Sequence, residues 1–171
     1  ALRVLDGAVG VFCAVGGVEP QSETVWRQSE AFGVPKIAFV NKMDRPGADF
    51  AAVLAAMRTR LGANAVAVAA PLGQGEDFRA VLDLVRQETL TFAPQDQGRS
   101  VQRLPFTPEE AALAAPWRDA LLEKLAEADE AFLEPYLEGV YSQGDILAAL
   151  RRATLARTLT PVLCGSALRN M

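Results

Sequence analysis

The apolar run "IAFV" at residues 37–40 stops abruptly at "NKMD", residues 41–44, and that junction constrains the fold more than any other feature. A second run without polar alternation, "GAVGVFCAV" at 7–15, lies upstream. Such runs are expected of strands covered on both faces. Between them, Gly16 and Gly17 break the first run, and Pro20 suits the first turn of a helix. "QSETVWRQSEAF" continues that helix until Gly33, and Pro35 blocks any extension. Beyond the polar cluster, Asp49 can cap a helix over 50–61, with Gly62 as its stop. Strand, helix, strand, helix implies a parallel sheet with right-handed crossovers.

The regularity then breaks. Residues 65–70 read as a strand and 71–76 as a turn. "FRAVLDLVRQETLTF" reads two ways: its first half fits a helix, while Val85, Gln87, Thr89 and Thr91 alternate like a strand. "APQDQGRS" is a loop of turn formers. Thr107 opens a long helical tract that ends at Gly139, with Pro116 expected to kink or restart it. Ser142 begins another helix carrying Ile146, Leu147, Leu150 and Leu155. A last strand-like run at 161–164 leads into "GSALRNM". The tract 65–158 therefore looks like an insertion that parts two strands of one sheet. The fold expected is α/β: 1–64 and 159–171 form a parallel-sheet domain, and 65–158 an inserted, mostly helical α+β subdomain.

Open parallel sheets bind ligands just beyond the carboxyl ends of their strands, where Asn41, Lys42 and Asp44 fall. An ionised carboxylate such as Asp44 is acceptor-only and can take two N–H donors at once. A guanine edge offers that pair, its ring N1–H and exocyclic amine; adenine does not. Asn41 can serve the base and tie neighbouring loops, and the stem of Lys42 can lie over the ring. Met43 faces the core. The small residues of Gly165, Ser166 and Ala167 can bring backbone N–H groups close to the guanine carbonyl oxygen. The Ser166 hydroxyl is expected to hold Asp44 in place. A lone Asn-Lys-x-Asp pattern can also merely cap a turn; the buried strand before it and the "GSAL" loop on another strand favour guanine.

Composition narrows the chemistry. With a net charge of −4 and a pI near 4.9 the chain is a poor match for a DNA phosphate backbone. No apolar run approaches the roughly 20 residues needed to cross a bilayer. The 171 residues contain no histidine and only Cys13 and Cys164, so a zinc site is not expected and the commonest general base is missing. Each cysteine sits in an apolar run and reads as a reduced core residue of a cytoplasmic protein.

The segments "ALRVLDGAVGVFCAVGGVEPQSETVWRQ", "GVPKIAFVNKMDRPGADF", "FLEPYLEG" and "PVLCGSALRN" closely resemble bacterial translation elongation factor G. That family is a ribosome-dependent GTPase that drives translocation. The resemblance implies a P-loop GTPase sheet, here partial, with 65–158 as the family's inserted subdomain facing the ribosomal stalk protein. By the same resemblance Asn41, Lys42, Met43 and Asp44 form the fourth GTPase motif, and Ser166, Ala167 and Leu168 lie in the fifth, together binding guanine. No G-x-x-x-x-G-K-[ST] loop occurs, nor the Asp-x-x-Gly-His segment that positions the attacking water. The expectation is a fragment of a larger GTPase whose intact form binds GTP or GDP with magnesium on the ribosome. The fragment alone should be catalytically inactive and bind nucleotide weakly. Other readings are a tetracycline-resistance protection protein, a release-factor GTPase, or a pure stalk-binding module. The last would use "LLEKLAEADEAFLEPYLE", an amphipathic tract with a strongly acidic face. In the turn after "YLEG", Val140 and Tyr141 stand where many relatives carry acidic residues.

Overall fold

The computed structural model describes residues 2–171. Strands β1 (Ala8–Cys13), β2 (Lys36–Asn41), β3 (Ala65–Ala67) and the last strand of the chain, β8 (Thr160–Cys164), form one parallel sheet in the order β1-β2-β8-β3. Helix α1 (Pro20–Ala31) joins β1 to β2, and α2 (Phe50–Leu61) joins β2 to β3. The Asp49 side chain accepts the Ala52 N–H at 2.9 Å, and Gly62 closes α2 in the left-handed conformation, as their sequence positions predict. Cys13 lies opposite Asn41, and Val40 opposite Cys164. The ends of β1, β2 and β8 therefore stand side by side.

A second sheet, antiparallel, runs β4 (Ala69–Leu72), β5 (Ala80–Asp83), β6 (Glu88–Phe92) and β7 (Val101–Pro105), in that order. The ambiguous segment around Val85 is thus a β-hairpin. Asp83 Oδ1 accepts the N–H groups of Val85 and Arg86, at 3.0 and 2.9 Å, and Gln87 takes a positive φ to complete the turn. The sequence carries no signal for β7: all five of its residues are exposed, so no alternation betrays it. Residues 65–70 are divided rather than continuous. Ala65–Ala67 pairs with β8, while Ala69 onward belongs to the second sheet.

Helices α3 (Pro108–Ala128), α4 (Glu130–Glu138) and α5 (Gln143–Leu155) pack on one another, and α3 and α5 also lie against the parallel sheet, α3 on β3 and α5 on β8 and β2. Capping boxes, Thr107 with Glu110 and Ser142 with Asp145, start α3 and α5. Of the kink or restart expected at Pro116, the restart does not occur: α3 runs on through it as one helix. An interior proline costs about 3 kcal/mol, but burial of Ala114 before it and of several side chains after it offsets that. Trp117 packs on Phe50 with ring centroids 5.4 Å apart, and Leu121, Leu122 and Leu125 are buried. Fully burying each such side chain is worth about 1.5–3 kcal/mol. The break falls instead at Asp129, whose carboxylate takes two bonds from Arg152 at 3.0 and 2.8 Å.

One further expectation is corrected. β1 is not covered on both faces, since Val9 is 59% and Val11 61% exposed, and it also stands at the edge of the sheet. Only the face bearing Phe12 is buried, where its ring lies 6.0 Å from that of Trp26 on α1.

Candidate guanine-base site

The loops after β2 and β8 are laced together by main-chain bonds. Gly165 N–H donates to Val40 O at 3.0 Å, and Met43 N–H donates to Gly165 O at 3.1 Å. Asn41 Oδ1 is the central acceptor, taking the N–H of Lys42 at 2.8 Å and that of Ala167 at 2.9 Å. One side chain thus fixes its own turn and the facing loop. Its Nδ2 amine has no partner among the described residues and is a free donor.

Lys42 is exposed and takes φ = 65°, a left-handed conformation that costs a non-glycine residue about 1–2 kcal/mol. The Asn41 side chain, the Arg45 N–H bonded to Lys42 O at 3.1 Å, and the Met43–Gly165 bond hold it there. Strain held in this way is characteristic of ligand-gripping loops. Met43 is fully buried, as expected, and anchors the loop from below.

Asp44 has a side chain only 9% exposed, with Arg169 Nε 3.7 Å from its Oδ2. Ser166, fully buried, does not bond Asp44 as expected; its Oγ accepts the Arg169 N–H at 3.2 Å. Ser166 therefore supports the residue that reaches Asp44. Ala167 donates its N–H to Asn41, while the N–H of Leu168 has no partner among the described residues. The Leu168 side chain is 83% exposed. Gly165 is small for an internal reason: a Cβ there would lie 2.3 Å from Met171 O and 2.8 Å from the Phe39 ring.

Sequence reasoning missed the contribution of residues 73–78. Gly75 N–H donates to Met43 O at 2.8 Å, and Gln74 Oε1 accepts the Phe50 N–H at 2.7 Å. Arg169, which follows the small-residue loop, bonds Phe78 O through Nη1 at 3.1 Å. Its only sequence signal is a cation beside that loop.

Cys13, partly buried at the end of β1, joins Gly17, Glu19, Ser22, Asn41 and Lys42 around a cavity of about 230 Å³. The Gly16 N–H draws its thiol below the ordinary value, and burial pushes that of Cys164 well up. A more apolar cleft of about 320 Å³ lies along the β1 edge beside Val9, Val11, Val25 and Trp26. It lacks the convergent acceptors and free donors of the Asn41–Asp44 loop, so it is the poorer match for a nucleobase. Among the described residues no three of His, Cys, Asp and Glu converge on a point where a metal could sit. No helix among them is long and apolar enough to cross a membrane.

A protein from Thermus thermophilus, solved by crystallography, superposes with a TM-score of 0.84 at 28% sequence identity, covering 99% of this chain and 25% of that one. The present chain thus spans about a quarter of the length of that relative. The family model for the elongation factor Tu GTP binding domain matches residues 1–171. With the match running the whole length and the polar loops at the sheet edge, the chain belongs to the elongation factor Tu GTP-binding domain family of translational GTPases.

Proposed function

We propose that this chain supplies guanine recognition to an elongation factor G-like GTPase that works on the ribosome. The observation that carries the reading is the double bond-taking of Asn41 Oδ1, which joins the 41–44 and 165–168 loops at the carboxyl edge of a parallel sheet. In this reading the two Asp44 oxygens accept the N1–H and exocyclic amine of guanine. The free Nδ2 of Asn41 donates to the ring nitrogen N7, and the free Leu168 N–H donates to the carbonyl oxygen. The Lys42 stem covers one ring face, and Met43 and Ser166 hold the loops from the core side. Residues 1–64 and 159–171 then form the guanine-recognition half of the nucleotide domain, and 65–158 its insertion.

In the intact protein, magnesium-bound GTP and the ribosome are the implied partners, with translocation as the outcome. A tetracycline-resistance protection protein and a release-factor GTPase are the competing assignments, since the same base site serves all three. Competition binding to the intact protein tests the base reading. Unlabelled GDP should displace a fluorescent GDP, and ADP at the same concentration should not; displacement by ADP at comparable concentrations sinks it.

A specific observation favours an additional role for α4 in binding the ribosomal stalk protein. Leu133, Leu137 and Val140 are 43%, 72% and 73% exposed, and Glu130, Glu134 and Glu138 flank them. An apolar centre with an acidic rim suits a basic, partly apolar partner. Leu137→Asp should abolish capture by immobilised stalk protein; undiminished capture removes α4 from the interface.

A further inference from the structure

We infer that Arg169 is a positioning residue for guanine selection: it orients the Asp44 carboxylate toward the base and ties that orientation to residues 73–78, the turn that joins β4 to β5. The inference rests on the base-reading role of Asp44 proposed above. Reading guanine rather than a purine lacking the exocyclic amine requires both carboxylate oxygens to face the base at once. A carboxylate on a loop turns freely about its last bond unless something grips one oxygen.

Arg169 supplies that grip, and it is itself held at two further points. Its Nε lies 3.7 Å from Asp44 Oδ2, the one ion pair that Asp44 makes among the described residues. Its Nη1 donates to Phe78 O at 3.1 Å, and its backbone N–H to Ser166 Oγ at 3.2 Å. Ser166 is fully buried, so the last contact is a fixed point. The planar guanidinium fork can face the carbonyl and the carboxylate together, which a lysine ammonium cannot do from one position.

Residues 73–78 meet the base loop a second time, since Gly75 N–H bonds the carbonyl of Met43, the residue before Asp44. Gly73 makes this turn possible: a Cβ there would stand 2.0 Å from Asp77 O, beside the peptide that presents the Phe78 carbonyl. The β4–β5 turn thus meets the base loop at the main chain through Gly75 and, by way of Arg169, at the carboxylate. A shift of that turn moves the Asp44 carboxylate.

The test uses the intact protein and compares affinities for GDP and inosine diphosphate, which differ only in the exocyclic amine that Asp44 should accept. Arg169→Ala removes the grip. Arg169→Gln keeps an amide donor for Phe78 O while removing the charge facing Asp44, which guards against a variant that fails to fold. The Arg169 side of the pair is 42% exposed, so solvent screening holds its worth to at most about fivefold in binding. Both variants should therefore lower the GDP-over-inosine preference by about threefold to fivefold, with inosine diphosphate affinity nearly unchanged. Arg169→Lys should fall between them and the parent. A merely structural role would weaken both nucleotides equally, and that outcome, or an unchanged ratio in the folded glutamine variant, overturns the inference. Asp44→Asn run alongside separates the two claims. If that variant gains xanthosine nucleotides while the Arg169 ratio stays flat, only the inference fails; if it gains nothing, the base reading itself fails and the inference with it.

Discussion

Replacing Asp44 by asparagine changes one carboxylate oxygen into an N–H₂ donor at the point proposed to meet two guanine donors. The Asp44 side chain is 9% exposed, and the neighbouring cation, Arg169, is 3.7 Å away, so little water is present to absorb the mismatch. Hydrogen bonds to a charged group are worth about 1.5–3 kcal/mol each. Losing one such bond and setting two donors against each other costs about 3–6 kcal/mol, or about two to four orders of magnitude in GTP affinity. Xanthine carries a carbonyl where guanine carries its amine, so the new side-chain amide would donate to it. In the intact protein the Asp44→Asn variant should prefer xanthosine triphosphate to GTP, reversing the parent order. Competition against a fluorescent nucleotide reads both affinities in one titration. A variant that binds xanthosine triphosphate well must be folded, so the gain serves as its own control. If the variant still prefers GTP, Asp44 does not read the base and the assignment of the site collapses.

Gly73→Ala should destabilise the protein by at least about 2 kcal/mol, because the backbone there has φ = 78° and the added Cβ would meet Asp77 O at 2.0 Å. An unchanged urea midpoint would show that the turn relaxes without cost. Cys13 should react with iodoacetamide in the native protein while the buried Cys164 stays unmodified until denaturant is added. The Cys13 rate should climb at a pH below its ordinary value of 9.0, and equal labelling of the two thiols contradicts the burial of Cys164. The carboxylates of Glu110 and Asp145 are held below their ordinary range first by the backbone N–H groups of Thr107 and Ser142. A lowered folded-state pKa gives stability that is fully present above the unfolded value and is lost as pH falls through the folded one. Thermal melts of the Glu110→Gln, Asp145→Asn double variant should therefore lie below the parent at neutral pH and converge with it as pH falls through the lowered folded-state values; a constant gap would mean that the caps do not act through their charge.

What the sequence alone determined were features whose physics is local. Asp49, Thr107 and Ser142 start helices because a short side-chain oxygen can reach an N–H two or three residues on, and Gly62 and Gly139 end them because glycine accepts the left-handed conformation. The ends of β2 and β8 were legible because apolar runs stop sharply at polar or small residues. That also exposed Asn41, Met43 and Asp44 as a group with distinct inward and outward members.

Tertiary structure decided the rest, because the deciding contacts join residues far apart in the chain. Ala65–Ala67 and Ala69–Leu72 are nearly continuous in sequence yet lie in different sheets, since the first pairs with β8 and the second with β5. Pro116 stays inside a helix because packing on both sides offsets its local cost. Val9 and Val11 face outward although their run looks doubly covered, because a strand's neighbours, not its own composition, set which faces are buried. At the site, Arg169 reaches across from one loop to the carboxylate of another and to the carbonyl of Phe78, separated from it by 91 positions. A pattern read along the chain carries no term for such a contact; only the folded arrangement brings its partners within range.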